Sequence, residues 1–179
     1  FEFDQAKALA SLGHEVIFVS IDMRSIRRTR KWGIEKFEKD GIKVYGINFP
    51  IGRVPKNILY FFSSIGLKKL YPIIEEEQGK PDIMHSHFTG ISYTATKLKE
   101  INNIPLVMTE HSSEMMKVPI EKKLKDIAFK TYPKGDRIIT VSPALCSIIK
   151  SNFNIDNVYI PNIVDTNIFK YNTRKNKNK

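Results

Sequence analysis

The sequence predicts an α/β fold in which a Rossmann-like parallel sheet is covered by helices on both faces. Short runs rich in β-branched residues alternate with longer amphipathic stretches along most of the chain. The short runs are mostly continuous in apolar residues, which is typical of strands buried on both sides. Alternation of this kind indicates parallel strands joined by right-handed crossovers.

Each element follows from local composition. The segments with the composition of strands are residues 15–21, 42–49, 82–87, 106–111, 137–142 and 158–163. The amphipathic stretches between them predict helices near residues 3–12, 56–77, 91–102, 120–130 and 143–152. Helix breakers stand at the required boundaries, since Gly13 follows the first helix and Pro105 precedes a strand. We therefore expect residues 1–169 to form one domain.

Three parts of the chain depart from this pattern. Residues 24–43 are rich in Arg and Lys around Trp32 and predict no regular element. Residues 170–179 form a basic tail without apolar periodicity, which we expect to be disordered. The chain also opens on a helix, whereas a doubly wound sheet normally opens on a strand and a glycine-rich turn. Either that strand lies upstream of Phe1 or the sheet is built differently, and both alternatives stay open.

Composition and charge argue against several classes of protein. The apolar content of 41% is that of a globular domain, and no apolar run approaches the roughly 20 residues that span a bilayer. The net charge of +10 falls to 10 − 5 = +5 without the five cations of the tail, which gives little support for nucleic-acid binding. The acidic start does not resemble a signal peptide. The single Cys146 excludes an internal disulfide and favours a cytoplasmic location.

Histidines cluster at the carboxyl ends of the predicted strands, where open parallel sheets bind ligands. His85 and His87 close the strand PDIMHSHF, and His111 closes PLVMTEH, whereas His14 lies at the opposite edge. His85 and His87 are two residues apart, so their side chains point to the same side of the sheet. One interpretation is a metal site completed by Glu110 or His111. The other is that His85 is structural, while His87, nearer the strand end, lies at the ligand.

His111 is the strongest candidate for a functional residue. It ends a strand, the small side chains of Ser112 and Ser113 leave room beside it, and Lys117 follows in a polar loop. A neutral imidazole can donate or accept a hydrogen bond to a ligand hydroxyl. The alternative is a histidine that caps the loop backbone.

No other catalytic signature is recognisable. The sequence contains no Gly-x-Ser-x-Gly, Gly-x-Gly-x-x-Gly or phosphate-loop motif. Cys146 falls within a predicted helix, where we expect a buried structural thiol. These absences argue, although weakly, against dehydrogenases and nucleoside triphosphatases.

Five segments taken together resemble the amino-terminal domain of retaining glycosyltransferases of family 4, which have the two-domain GT-B architecture. They are DQAKALASLGHEV, PDIMHSHF, IPLVMTEHSS, DRIITVSPALCSII and VYIPNIVDTNIF. No single segment is decisive, but five in the right order, spanning residues 1–169, are hard to obtain by chance. The resemblance implies a domain of an enzyme that moves a hexosyl unit from a nucleotide sugar to a glycan or lipid-linked acceptor, with retention of configuration.

The resemblance also implies roles for individual residues. His111 matches the histidine that lines the family's active site beside the transferred sugar, so we expect it to be catalytic. His87 matches a position near the acceptor pocket. Together with Ser112, Ser113 and Lys117, His87 forms the expected substrate-binding set.

Two parts of the family's architecture are not found in these residues. The family's glycine-rich loop and its donor-binding carboxy-terminal domain are not among residues 1–179, so we expect the chain to be incomplete as an enzyme. Asn162 and Asp165 match a segment that leads to the interdomain linker, and we expect them to be structural. The family resemblance implies no metal and no cofactor, because side chains and helix dipoles neutralise the leaving diphosphate.

Two rival functions and one partner remain to be tested. A GT-B-like sugar-nucleotide epimerase would need a carboxylate, such as Glu110 or Glu114, turned into the cleft. A flavodoxin-like binding module would have purely structural histidines. A basic surface also suggests peripheral attachment to the inner face of an anionic membrane. Its predicted residues are Arg24, Arg27, Arg28, Arg30, Lys31 and Trp32, with Lys68 and Lys69 beside Leu67, Leu70 and Tyr71.

Overall fold

The structure, a computed structural model, describes residues 1–23, 32–164, 166 and 169. Helices and strands alternate along these residues, apart from three consecutive strands that precede the second helix. The helices are α1 (Glu2–Ser11), α2 (Lys56–Gln78), α3 (Thr89–Asn102), α4 (Lys122–Thr131) and α5 (Pro143–Phe153). The strands are β1 (Ile17–Asp22), β2 (Gly33–Lys39), β3 (Ile42–Asn48), β4 (Met84–His87), β5 (Leu106–Glu110), β6 (Arg137–Thr140) and β7 (Val158–Tyr159). Short 3₁₀ turns occupy Ser113–Met116 and Tyr132–Lys134.

The predicted α/β class is confirmed, and each predicted strand and helix is present with shifted ends. Two shifts matter for the site. The strand predicted over residues 106–111 ends at Glu110, so His111 is the first residue after it. The strand predicted over residues 158–163 is paired only at Val158–Tyr159, which leaves Asn162 in the segment beyond.

The strands form two sheets, and the second is the parallel sheet that the sequence predicted. The first sheet has the order β1–β3–β2, and the second has the order β4–β5–β6–β7. All neighbouring strands are parallel except β2, which pairs antiparallel with β3. The sequence analysis missed β2. Its signal is Asp40-Gly41, because a two-residue hairpin turn needs positive φ at both positions, and these residues have φ of 50° and 76°.

Helices cover both faces of the first sheet, as the fold class requires. Phe3 of α1 packs edge-on against Phe18 of β1, with ring centroids 5.2 Å apart. Neighbouring residues of a strand face opposite sides of the sheet. The core under α2, on the side opposite to Phe18, therefore contains Val19, Tyr45 and Ile47.

Helix α2 joins the two sheets. Leu70 and Ile74 pack into the core of the first sheet, while Tyr71 packs with Leu98 and Ile104 beside β4. Leu70 is 0% exposed and Tyr71 is 6% exposed. These two side chains therefore cannot insert into a membrane, and the expectation that they flank a lipid-binding surface is wrong.

The second sheet packs against α3, α4 and α5. Its core contains Leu106 and Met108 of β5, Ala128 of α4 and Ile149 of α5, each at most 1% exposed. No helix among the described residues combines the length and the apolar character needed to cross a bilayer. The predicted disordered tail, residues 170–179, lies outside the described residues, as do Arg24, Arg27, Arg28, Arg30, Lys31 and Asp165.

Candidate functional site

The carboxyl ends of β4, β5 and β6 meet at one edge of the second sheet because these strands are parallel. His87 ends β4, and His111 directly follows β5. His85, His87 and His111 lie on the face opposite to the core formed by α3, α4 and α5. The exposed His14 lies in the loop before β1, at the other edge of the fold.

The three histidines form a stacked row. Ring centroids are 4.5 Å apart for His85 and His87, and 5.1 Å apart for His87 and His111. Nδ1 of His87 lies 2.8 Å from Nε2 of His111. One of these nitrogens carries a proton and donates the hydrogen bond, and the other accepts the hydrogen bond. Nε2 of His85 lies 2.7 Å from Oγ1 of Thr109 on the neighbouring strand. This geometry favours the structural interpretation of His85.

Burial keeps this row uncharged near neutral pH. Loss of solvent, together with the smaller effects of the neighbouring His85 and His111, lowers the pKa of His87 from 6.5 to about 4. Loss of solvent also lowers the pKa of His111, against the opposing effect of the carboxylates of Glu2 and Glu110. Two adjacent imidazoles that are both neutral can share a hydrogen bond without repulsion between like charges.

His111 has one nitrogen left over. Its Nδ1 is buried and has no hydrogen-bond partner among the described residues. The ring lines a cavity of about 50 Å³, together with Phe1, Gln5, Thr109, Ile139, Val141, Ile160, Pro161, Asn162 and Ile163. The Asn162 side chain is close enough to raise the pKa of His111, but it does not meet Nδ1 with hydrogen-bonding geometry. A buried nitrogen without a protein partner, on a residue that lines a cavity, is an available contact for a ligand.

Phe88 is a site residue that the sequence analysis missed. It packs against His111 with ring centroids 5.1 Å apart, and its backbone has φ of 64° and ψ of 143° at the start of α3. A bulky residue with positive φ costs on the order of 1–3 kcal/mol, and such strain tends to occur at functional sites. No sequence signal marks this conformation, because phenylalanine does not favour it.

The other predicted substrate-binding residues do not all lie at the cavity beside His111. The backbone N–H of Ser112 donates to Oε1 of Glu110, and its hydroxyl accepts a hydrogen bond from the N–H of Glu114. Ser112 therefore shapes the loop after His111, and Ser113 is exposed beside it. Lys117 is exposed and lines a second cavity, which shares no residue with the one beside His111.

Glu110 points away from the histidines and into the core, where it is 2% exposed. Its Oε2 accepts hydrogen bonds from the backbone N–H and the hydroxyl of Thr89, and from the hydroxyl of Tyr132. Its Oε1 accepts the N–H of Ser112 at 2.7 Å. The buried carboxylate thus connects the end of β5 to the start of α3, to the turn after α4 and to the loop after His111.

These contacts bear on the metal-site and epimerase interpretations. Both oxygens of Glu110 are occupied on the core side, so this carboxylate is not placed to complete a histidine metal site. Within residues 1–23 and 32–164, no group of three or more His, Cys, Asp or Glu side chains is arranged to hold a metal ion. Glu114 forms an ion pair with Lys56 at 3.0 Å. Glu110 therefore does not point into a cleft as the epimerase alternative requires, and Glu114 is half exposed beside Lys56.

Comparison with known proteins now decides the family. The sequence model of Glycosyltransferase Family 4 matches residues 3–168. The chain belongs to this family. No curated protein sequence matches the chain.

Two solved structures of sucrose-phosphate synthase from Thermosynechococcus elongatus share the fold of this family 4 domain. The first has a TM-score of 0.69 at 13% identity, and the match covers 92% of this chain and 42% of the synthase chain. The second has a TM-score of 0.65 at 14% identity, and the match covers 92% of this chain and 84% of the second synthase chain. The family 4 domain thus spans less than half of the first structure. At these identities the likeness shows the fold, which is that of GT-B glycosyltransferases.

We predict that Glu110→Gln destabilises the family 4 domain by about 1–3 kcal/mol, because an amide nitrogen in place of one carboxylate oxygen leaves at least one buried donor unsatisfied. Urea unfolding followed by circular dichroism measures this change. Glu76→Gln is the matched control, since Glu76 is exposed on α2. Equal unfolding midpoints for wild type and Glu110→Gln would contradict the prediction.

We also predict that His87 makes stability depend on pH. Its pKa is about 4 in the folded domain and near 6.5 when unfolded, so the unfolded chain binds the proton more readily between these values. The free energy of unfolding should therefore fall as the pH is lowered from about 6.5 toward about 4. His87→Gln should lose less stability than wild type over this range in urea unfolding. The exposed His14→Gln should behave like wild type, and the same slope in all three proteins would refute the prediction.

Proposed function

We propose that residues 1–169 form the acceptor-side domain of a glycosyltransferase that moves a hexosyl unit from a nucleotide sugar to a glycan or lipid-linked acceptor. Membership of glycosyltransferase family 4 supports the reaction class. Retention of configuration belongs to the same proposal and rests on the family resemblance.

One observation carries the proposal: the buried Nδ1 of His111 has no hydrogen-bond partner among the described residues, and His111 lines a cavity at the carboxyl edge of the sheet. Open parallel sheets bind ligands at this edge. A sugar hydroxyl can either donate to a bare Nδ1 or accept from a protonated one, so the neutral imidazole suits such a ligand in both tautomers. We infer that His111 contacts the transferred sugar and that His87 fixes the tautomer of His111 through their shared proton.

The cavity beside His111 is too small to hold a whole sugar. A volume of about 50 Å³ holds a few water molecules and not a hexose. At the amino terminus of α3, Glu110 already accepts the N–H of Thr89, which leaves one donor fewer for a phosphate. We therefore propose that a second domain grips the donor nucleotide and that the reaction occurs between the two domains. Sucrose-phosphate synthase, of which the match covers 42%, has the additional length that such an arrangement requires.

The proposed function also suggests where in the cell the enzyme works. A single cysteine suits a reducing compartment, and an acceptor carried by a lipid would bring the enzyme to a membrane surface. We propose a cytoplasmic enzyme attached peripherally to the inner face of the membrane.

We predict that His111→Ala in the two-domain enzyme lowers kcat on the order of 100-fold, the loss typical of one transition-state hydrogen bond. His14→Ala is the control, because His14 is exposed far from the cavity. Steady-state kinetics of both variants, with circular dichroism to check the fold, measure the effect. Turnover near that of wild type in folded His111→Ala would leave His111 with a structural role alone.

We further predict that residues 1–179 alone neither transfer sugar nor bind UDP- or GDP-sugars tightly. Calorimetry with a panel of nucleotide sugars should detect no binding stronger than about 1 mM, or about −4 kcal/mol. Micromolar binding of any nucleotide sugar would mean that the donor site has been assigned to the wrong half of the enzyme.

A further inference from the structure

A second cavity lies on the other side of β5, between the loop that follows His111 and helices α4 and α5. Its volume is about 300 Å³. Its lining is mostly apolar, with two lysines at the rim: Met115, Met116, Lys117, Val118, Pro119, Ile120, Lys125, Ile148 and Asn152. No residue of this cavity lines the one beside His111.

Apolar side chains project outward around this cavity. Val118 is 96% exposed, Met116 is 46% exposed, and Phe129 of α4 is 49% exposed. The loop that carries Met116 and Val118 is firmly anchored, because Met115 is 0% exposed in the core. Exposure of Val118 is therefore a feature of an ordered loop and offers an apolar tip at a fixed position.

Lysines surround the tip without acidic partners. Lys117, Lys122, Lys123 and Lys125 form no ion pair with any described carboxylate, whereas eight lysines elsewhere do: Lys7, Lys36, Lys43, Lys56, Lys97, Lys99, Lys134 and Lys150. Lys122, Lys125 and Phe129 share one face of α4, since residues three and four apart on a helix are neighbours.

The local charge balance is positive. Residues 114–130 contain five lysines and three carboxylates, which gives 5 − 3 = +2. Two of those carboxylates, Glu114 and Glu121, already face Lys56 at 3.0 and 3.9 Å. The unpaired cations next to the apolar tip are therefore available to an anionic partner.

We propose that this tip surface, formed by Met116, Lys117, Val118, Lys122, Lys125 and Phe129, docks the protein on an anionic lipid bilayer, an inference that rests on the peripheral membrane attachment proposed above. Apolar side chains enter the interface while lysines contact lipid headgroups, each lysine contributing independently. A protein partner fits less well, because lysine is depleted from protein–protein interfaces. The surface around Lys68 and Lys69 also fits less well, because Leu70 and Tyr71 beside them are buried.

The test is co-sedimentation of residues 1–179 with vesicles of phosphatidylcholine alone and of phosphatidylcholine mixed with phosphatidylglycerol. The wild type should bind only the mixed vesicles. Lys117→Glu/Lys122→Glu should lower the partition coefficient by at least about 30-fold, from the loss of two lysines near an anionic surface. Val118→Ser, which leaves the charge unchanged, should lower it several-fold.

The matched control is Lys68→Glu/Lys69→Glu, which makes the same change of charge on exposed residues of α2. It should lower the partition coefficient far less. All variants retain the cations of residues 24–31 and 170–179, so differences between variants report the tip surface. An equal loss in both double variants, an unchanged Val118→Ser, or no binding to mixed vesicles would overturn the proposal. Self-association of the wild type that Val118→Ser abolishes, without vesicle binding, would assign the surface to a protein contact instead.

Discussion

The buried carboxylate of Glu110 holds together the parts of the structure on which the candidate site depends. A buried charge is costly unless hydrogen bonds compensate it, and Glu110 accepts four, from three separate segments of the chain. Two of them come from Thr89 at the start of α3, one from Tyr132 and one from Ser112. The strand end, the helix start and the loop after His111 are therefore fixed relative to one another by a single side chain.

The position of His111 follows from that of Glu110. Consecutive residues of an extended segment point to opposite sides, so a carboxylate directed into the core turns the next side chain to the other face of the sheet. There His111 meets His87 of the neighbouring strand at 2.8 Å. Burial lowers the pKa of both imidazoles, so the pair works as a donor and an acceptor and not as a cation.

Much of this arrangement could be predicted from local patterns, and the rest depends on contacts that a pattern does not contain. Short segments with the composition of strands located β4, β5 and β6, and therefore the edge at which the histidines meet. The division into two sheets could not be predicted, because it depends on which distant strand edges pair. The burial of Leu70 and Tyr71 was missed for a similar reason: α2 contacts two sheets at once, so its apolar stripe is wider than that of a helix on one sheet. Phe88 has a backbone conformation that only its surroundings can impose.

The short segment from Glu110 to Val118 connects the two surfaces to which we assign functions. Glu110 and Met115 are its two buried anchors, each at most 2% exposed. His111, just after the first anchor, faces the small cavity on one side of the sheet. Val118, just after the second, projects beside the larger cavity on the other side. Because both anchors belong to one core, the loop cannot move at one end without disturbing the other. A protein that rests on a bilayer through Val118 would therefore hold the His111 edge at a fixed orientation to the lipid surface, as transfer to a lipid-linked acceptor would require.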